Sequence, residues 1–267
     1  MSEIYKELWE SFNDIYFEED SHKYTDSHNT NYQSVTTLIS SLEEEKDWHG
    51  IAEKLVNSNN EKYKDKNPDD IVKEWDYNKD YSCVLGTNIH SIMEYGWQNK
   101  EFYPNKNDFI GYEGMEDDFN NRKIKAKELL KSLRDTYIPI KNEYIVYDRR
   151  WKICGTIDFL AYNKIKNCLS ILDWKTNKKW VYSNSYEVMN KPFESLDNCN
   201  INHYSLQLNI YKAILEKNTN LKIGEMKLYL IPKDNEVQSY ECKDLQSLVI
   251  PFLNERIEKT PRIRNPH

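Results

Sequence analysis

Apolar residues recur along this chain with two periods, and the changes between them divide it into elements. Residues 9–12 close a short amphipathic helix, and the segment IYFEEDSHKYTD reads as two short strands around a polar turn. Ser34 precedes VTTLISSLE and is expected to cap a helix. Residues 48–75 give helix, a polar interruption at 57–67, and helix again from Pro68. Thr87 is expected to cap a further helix carrying Ile89, His90, Met93, Glu94 and Trp97. The polar, acidic stretch 102–121, with Gly111 and Gly114, reads as a loop or short lid, and residues 119–133 as a helix. Strand patterns follow at 144–148 and in two runs within 155–175 that a turn at 163–167 joins into a hairpin. Residues 180–200 are irregular and aromatic. From Asn202, Tyr204, Leu208, Tyr211 and Leu215 mark a stripe at helical spacing. KLYLI at 227–231 is a strand stopped by Pro232, 245–257 a closing helix, and 262–267 a frayed tail. This alternation predicts an α/β protein with a mixed central sheet flanked by helices. It divides into an accessory lobe of hairpin and helices (1–80), a core (81–258) and a tail (259–267).

Composition narrows the class. The chain has 267 residues, 39% of them hydrophobic, and only 7 glycines, which suits a globular protein without long flexible linkers. It is rich in Tyr, Lys and Asn, so single Lys or Tyr residues carry little weight. A net charge of −7 argues against a generic polyanion binder but leaves room for a local basic strip. The run RKIKAKELLKSLR at 122–134 reads as a solvated helix face, whereas Lys164, Lys166, Lys178 and Lys179 are expected around the site and are the better phosphate contacts. Five scattered cysteines, with no C-x-x-C pair and no signal-like N-terminal segment, point to a reducing, intracellular compartment. No run approaches the roughly 20 apolar residues needed to span a membrane, so a soluble protein is expected.

Candidate chemistry centres on GTIDFLAYNKIKNCLSILDWKTNKK at 155–179. Strand alternation puts Asp173 and Lys175 on one face and Trp174 on the other. Pairing of the two runs brings Asp158 towards Asp173, giving two carboxylates and a lysine at one sheet end. Mg²⁺ or Mn²⁺ takes such oxygen ligands and leaves positions for a phosphate, while Lys175, a general-base candidate, can orient a nucleophile or offset developing charge. A bare D-x-K is most often an exposed strand pair, so its context matters. His90 and Glu94, four residues apart, share a helix face; His90 is a candidate ligand and Glu94 a candidate partner for it. Gln207 lies inside an apolar stripe, where its amide needs a partner, and His203 sits one turn earlier.

GTNIHSIME at 86–94, GTID at 155–158, ILDWKT at 171–176 and QLNIY at 207–211 stand in the order of motifs that resembles the PD-(D/E)xK nuclease superfamily, in its RecB-like branch. The resemblance implies a restriction-endonuclease-like core and a metal-dependent DNA nuclease. It implies His90, Asp158 and Asp173 on the metal, Lys175 as the catalytic lysine, and Gln207 and Tyr211 near the DNA or that lysine. Glu143, in EYIVY, resembles the acidic residue many members carry ahead of this region. The hairpin and SVTTLI of the first lobe are similar to the start of viral and mitochondrial exonucleases of the branch. An exonuclease working at DNA ends in recombination, repair or end processing is the implied activity. Without a G-x-x-x-x-G-K-[ST] motif, any helicase or recombination partner is a separate chain. The tight cysteine group that holds an iron–sulfur cluster in some relatives is missing, so no cluster is expected. A structure-dependent endonuclease, a non-catalytic DNA-binding protein or subunit, and an RNA hydrolase are the alternatives.

Overall fold

The computed structural model describes residues 1–18, 23–58 and 60–259; the turn of the first hairpin and the expected tail at 262–267 lie outside the described residues. In chain order the elements are α1 (Ser2–Ser11), β1 (Tyr16–Glu18), β2 (Lys23–Thr25), β3 (Asn31–Ser34), α2 (Val35–Ser40), α3 (Trp48–Val56), α4 (Pro68–Trp97) and α5 (Met115–Leu133). Then come β4 (Tyr137–Asp148), β5 (Ile153–Asn163), β6 (Cys168–Lys175), α6 (Asn200–Asn218), β7 (Ile223–Leu230), β8 (Gln238–Glu241) and α7 (Gln246–Lys259). The strands form one mixed sheet in the order β1-β2-β3-β5-β6-β7-β8, with β4 paired along the other edge of β5. The β3–β5 and β6–β7 pairs are parallel and the others antiparallel. Among the described residues, no helix is long and apolar enough to cross a membrane.

Two apolar clusters cover the two sheet faces. Ile89, Met93 and Trp97 of α4 and Phe119, Ala126 and Leu130 of α5 pack on Phe159, Leu172 and Trp174. On the other face, Leu206, Ile210 and Ile214 of α6 and Val249 and Leu253 of α7 meet Ile171, Leu228 and Leu230, joined by Leu8 and Leu38 of the first segment. Strand alternation sends Leu172 and Trp174 one way and Ile171 the other. α6 is buried almost all round, because α2 and α7 cover what the sheet leaves open, so the single stripe expected there is too narrow.

Several boundaries differ from those read in the sequence. The helix carrying His90 does not begin at Thr87: α4 is one 30-residue helix with Thr87 inside it. It starts at Pro68, capped by the Asn67 side chain, which accepts the Asp69 N–H, and Asp69 and Asp70 favour its positive end. A division at residue 80 therefore falls inside a continuous helix, and β3 joins the same sheet as the core at Gln33–Ile153 and Ser34–Cys154. β4 begins seven residues before Tyr144, α5 begins at Met115, and β8 had no sequence signal.

Candidate active site

β5 shares one edge with two strands. β3 pairs with its first two residues, and β6 with Phe159 to Asn163, so residues 155–158 face a gap between them. Continuing the β5–β6 register past Phe159–Leu172 sets Asp158 opposite Asp173, and the β4–β5 register sets Glu143 opposite Asp158. Three acidic residues thus stand in one row across three adjacent strands. The ladder is broken along that row: the Asp158 Oδ2 accepts the Trp174 N–H at 2.9 Å, taking a donor that a regular β5–β6 pair would use. Glu143 has φ +44, in the left-handed region, at a cost of about 1–2 kcal/mol for a residue with a side chain.

His90 reaches this row from α4. Its Nε2 lies 2.8 Å from the Trp174 carbonyl oxygen, so that nitrogen donates and Nδ1 is turned to the carboxylates, 3.4 Å from Asp158 Oδ2 and 3.8 Å from Glu143 Oε1. His90, Glu143 and Asp158 offer ligand atoms all within 4.8 Å of one another. The carbonyl contact fixes the imidazole as a metal ligand needs it fixed. Asp173 is outside this trio, and its Oδ1 is buried without a hydrogen-bond partner. An imidazole, two carboxylates and a third with an unsatisfied buried oxygen fit a divalent cation such as Mn²⁺ or Mg²⁺.

Lys175 closes the site from the opposite layer. Its Nζ is 2.6 Å from Asp173 Oδ2, 3.4 Å from Gln207 Oε1 and 4.5 Å from the Tyr204 ring centre. Gln207 Nε2 in turn donates to the Tyr211 hydroxyl at 3.0 Å, which fixes the amide so that its oxygen meets the ammonium. Tyr211 lies directly over Gly155; a Cβ there would be 2.5 Å from its ring, so the strand approaches α6 this closely only with glycine. The gap in the sheet is what lets His90 from one helix layer and Gln207 from the other act on the same row.

Burial pulls the His90 pKa down, but Asp158 and Glu143 outweigh it and push it up to about 9. Burial and the neighbouring Asp158 raise Asp173 to about 6, against Lys175. Asp158 is raised by burial although His90 and Lys175 oppose the shift. Burial lowers the Lys175 value, yet Asp173 and Asp158 leave it raised overall. Without metal, therefore, Lys175 is an ammonium and His90 an imidazolium, two cations neutralising crowded carboxylates. Lys175 is thus a hydrogen-bond donor in this metal-free state.

A cleft of about 1050 Å³ leads to Lys175 and His90, walled by Tyr77, Tyr81, Lys178, Tyr204 and Lys233. Glu94 lines the adjoining hollow with Glu143, but the partner of His90's second nitrogen is the Trp174 carbonyl, so that expected role for Glu94 is not found. Lys178 stands on the cleft wall, while Lys179 is exposed beside it and its carbonyl accepts from Asn200. Lys164 and Lys166 are not near the site. They occupy the far end of the β5–β6 hairpin, roughly 23 Å along β6 by strand rise, where Lys166 pairs with Glu225 and Glu241. His203 faces Glu43 at 3.7 Å, and Arg149 pairs with Asp14 and Asp26.

Residues without a motif also shape the site. Arg122, expected on a solvated face, is 3% exposed; it pairs with Asp118 at 2.6 Å and donates to the Thr176 and Ile231 carbonyls, tying together the ends of β6 and β7 beside Lys175. The Tyr81 hydroxyl donates to Asp118, extending this chain to the cleft wall. Asp118 at i and Arg122 at i+4 was the available signal, hidden in a highly charged helix.

No protein-family model matches the chain, and no curated protein matches it. A solved structure described as the crystal structure of SSO0001 is similar at 16% identity, with a TM-score of 0.29, over 59% of this chain and 66% of that one, just under two thirds of its length. Likeness at that level carries no argument about fold or activity.

Proposed function

We propose that this protein is a divalent-metal-dependent deoxyribonuclease with a restriction-endonuclease-like PD-(D/E)xK core of the RecB-like kind, acting on DNA ends. The observation that carries the reading is the row Glu143, Asp158, Asp173 with His90 at the sheet gap and Lys175 beside it. His90, Glu143 and Asp158, with Asp173 adjacent, would hold the cation. Bound there, it supplies Lewis-acid stabilisation of charge on the phosphate. Lys175, kept protonated by Asp173 and Asp158, donates to a phosphate oxygen as negative charge grows in the transition state. Gln207 holds that ammonium in place, and Tyr211 holds Gln207. Tyr77 and Tyr81 offer aromatic surface along the cleft for bases, and Lys178 and Lys233 offer charge for the backbone. A sparse set of lysines on a chain of net charge −7 suits local contact with one strand.

The test is a time course on DNA labelled at the 5′ or 3′ end, linear and circular, with Mg²⁺, Mn²⁺ or EDTA, beside Asp173→Asn and Lys175→Gln. Metal-dependent loss of linear DNA alone, absent in both variants while their melting curves stay cooperative, is the expected result. Nicking of circles assigns an endonuclease, and preferential loss of a matched RNA strand assigns an RNA hydrolase. Equal turnover by the variants, purified free of host nuclease, overturns the assignment of the site.

A further inference from the structure

We infer that a second pocket, where α4 and α5 end, is a docking site for an acidic peptide segment carrying an apolar side chain. The pocket holds about 330 Å³ and is lined by Ile92, Phe102 and Leu130 and by Lys100, Lys127, Lys131 and Arg134, with Glu101 as its acidic member. Glu101 is taken up by Lys127 at 2.8 Å, and Arg134 donates to the Gly96 carbonyl. Lys100 reaches the Gln98 amide oxygen at 2.9 Å, and among the described residues neither Lys100 nor Lys131 has a carboxylate within 4.0 Å. The two helix C-termini there together offset only about one positive charge. A surplus of about two remains over an apolar floor, on a chain whose net charge is −7. Charge complementarity selects an anion, and the half-buried Phe102 beside Ile92 and Leu130 selects one with an apolar group to bury.

The occupant is distinct from a strand in the active-site cleft. At about 100° per residue, Ile92 and Gly96 lie roughly 200° around α4 from His90 and Glu94, on its opposite side. Along α5 the middle of the pocket, at Leu130, is about 12 Å from Arg122, the nearest residue of that helix on the cleft wall. Nor does the pocket present an open aromatic face for a base: Phe102 is engaged edge-to-face with Tyr95, and the Arg134 guanidinium covers Trp97 at 5.2 Å. A leucine or phenylalanine side chain flanked by carboxylates meets both the floor and the rim.

The probes are fluorescein-labelled peptides Asp-Glu-Asp-Asp-Ser-x, with x Phe, Leu, Trp or Ser, titrated with the full chain and read by fluorescence anisotropy. At least one apolar-ended peptide is expected to bind at micromolar concentration, more tightly than the Ser-ended one, and tenfold or more weakly to the Lys100→Glu/Lys131→Glu double variant. Both side chains are exposed, and a melting curve checks that the variant is folded. A labelled 12-nucleotide thymidine strand is the control. No binding by any peptide, or equal binding by the double variant, overturns the inference. So does a variant that loses the oligonucleotide while no peptide binds, which gives the pocket to nucleic acid. Peptide binding is read without cleavage, so it stands or falls apart from the nuclease proposal.

Discussion

Replacing Gly155 with alanine strikes the closest contact in the site without touching a charged group. The new Cβ would lie 2.5 Å from Tyr211 Cε1 and 2.9 Å from its hydroxyl oxygen. Ordinary carbon contacts are about 3.5–4.0 Å, so the ring must withdraw by about 1 Å. Tyr211 is 2% exposed and packed into the α6 core, which leaves it nowhere to go cheaply. Overpacking of this kind costs about 1–3 kcal/mol, and losing the Gln207–Tyr211 hydrogen bond adds about 1. A total of about 2–4 kcal/mol corresponds to a fall in Tm of roughly 4–7 °C for a chain of this size. Urea unfolding of wild type, Gly155→Ala, Tyr211→Ala and the double variant measures it. With the ring gone, the added methyl should cost under about 0.5 kcal/mol, so the two sites should couple by about 1.5 kcal/mol or more. A Gly155→Ala penalty below about 0.5 kcal/mol, or one as large without Tyr211 as with it, would refute the packing argument.

Glu143→Gln should weaken Mn²⁺ binding roughly 10- to 100-fold in calorimetry while Glu94→Gln changes it less than about threefold; the reverse order would move the metal to the outer hollow. The pH response of the metal-free site has a definite sign. His90, raised from 6.5 to about 9, stabilises the fold fully below pH 6.5 and loses that contribution as pH rises through 9. Asp173, raised from 3.8 to about 6, is disfavoured in its charged form, so its ionisation destabilises the fold as pH rises through 6. A bound cation opposes both, so Mn²⁺ should raise Tm more at pH 8.5 than at pH 6; an equal rise at the two values counts against the site. Arg122→Ala, which strands Asp118 in the core, should cost about 3–5 kcal/mol in urea unfolding, and Arg122→Met with Asp118→Leu should recover most of it; a cost under about 1 kcal/mol would show the pair to be dispensable.

Periodicity made most of the elements legible, since strand alternation and apolar stripes are local properties. The Asp173–Lys175 pair is the clearest case: a two-residue spacing fixes a shared face before any tertiary contact is known. The acidic row was partly accessible too. Once β4 and β5 are joined by the tight turn after Asp148, counting back five positions from the closing pair puts Glu143 opposite Asp158. Hidden from the sequence was the gap in the sheet, because it depends on β3, about 120 residues away, ending where it does. Lys164 and Lys166 were misplaced for a related reason: near in sequence to the DWK run, they belong to the other end of the strand it finishes. Thr87 misled because a capping residue type inside a helix looks the same as one at its start.

The seam between β3 and β5 also imposes an order on biosynthesis. Gln33 and Ser34 are translated about 120 residues before Ile153 and Cys154, a delay of about 6–24 s at ordinary ribosomal speed. Throughout that interval the first hairpin has emerged without the strand that completes it, and Leu8 and Leu38 have no α6 to cover them. The nascent N-terminal third is therefore the part of this chain that most needs a chaperone, and it can lock into place only after the strand bearing Asp158 has been made.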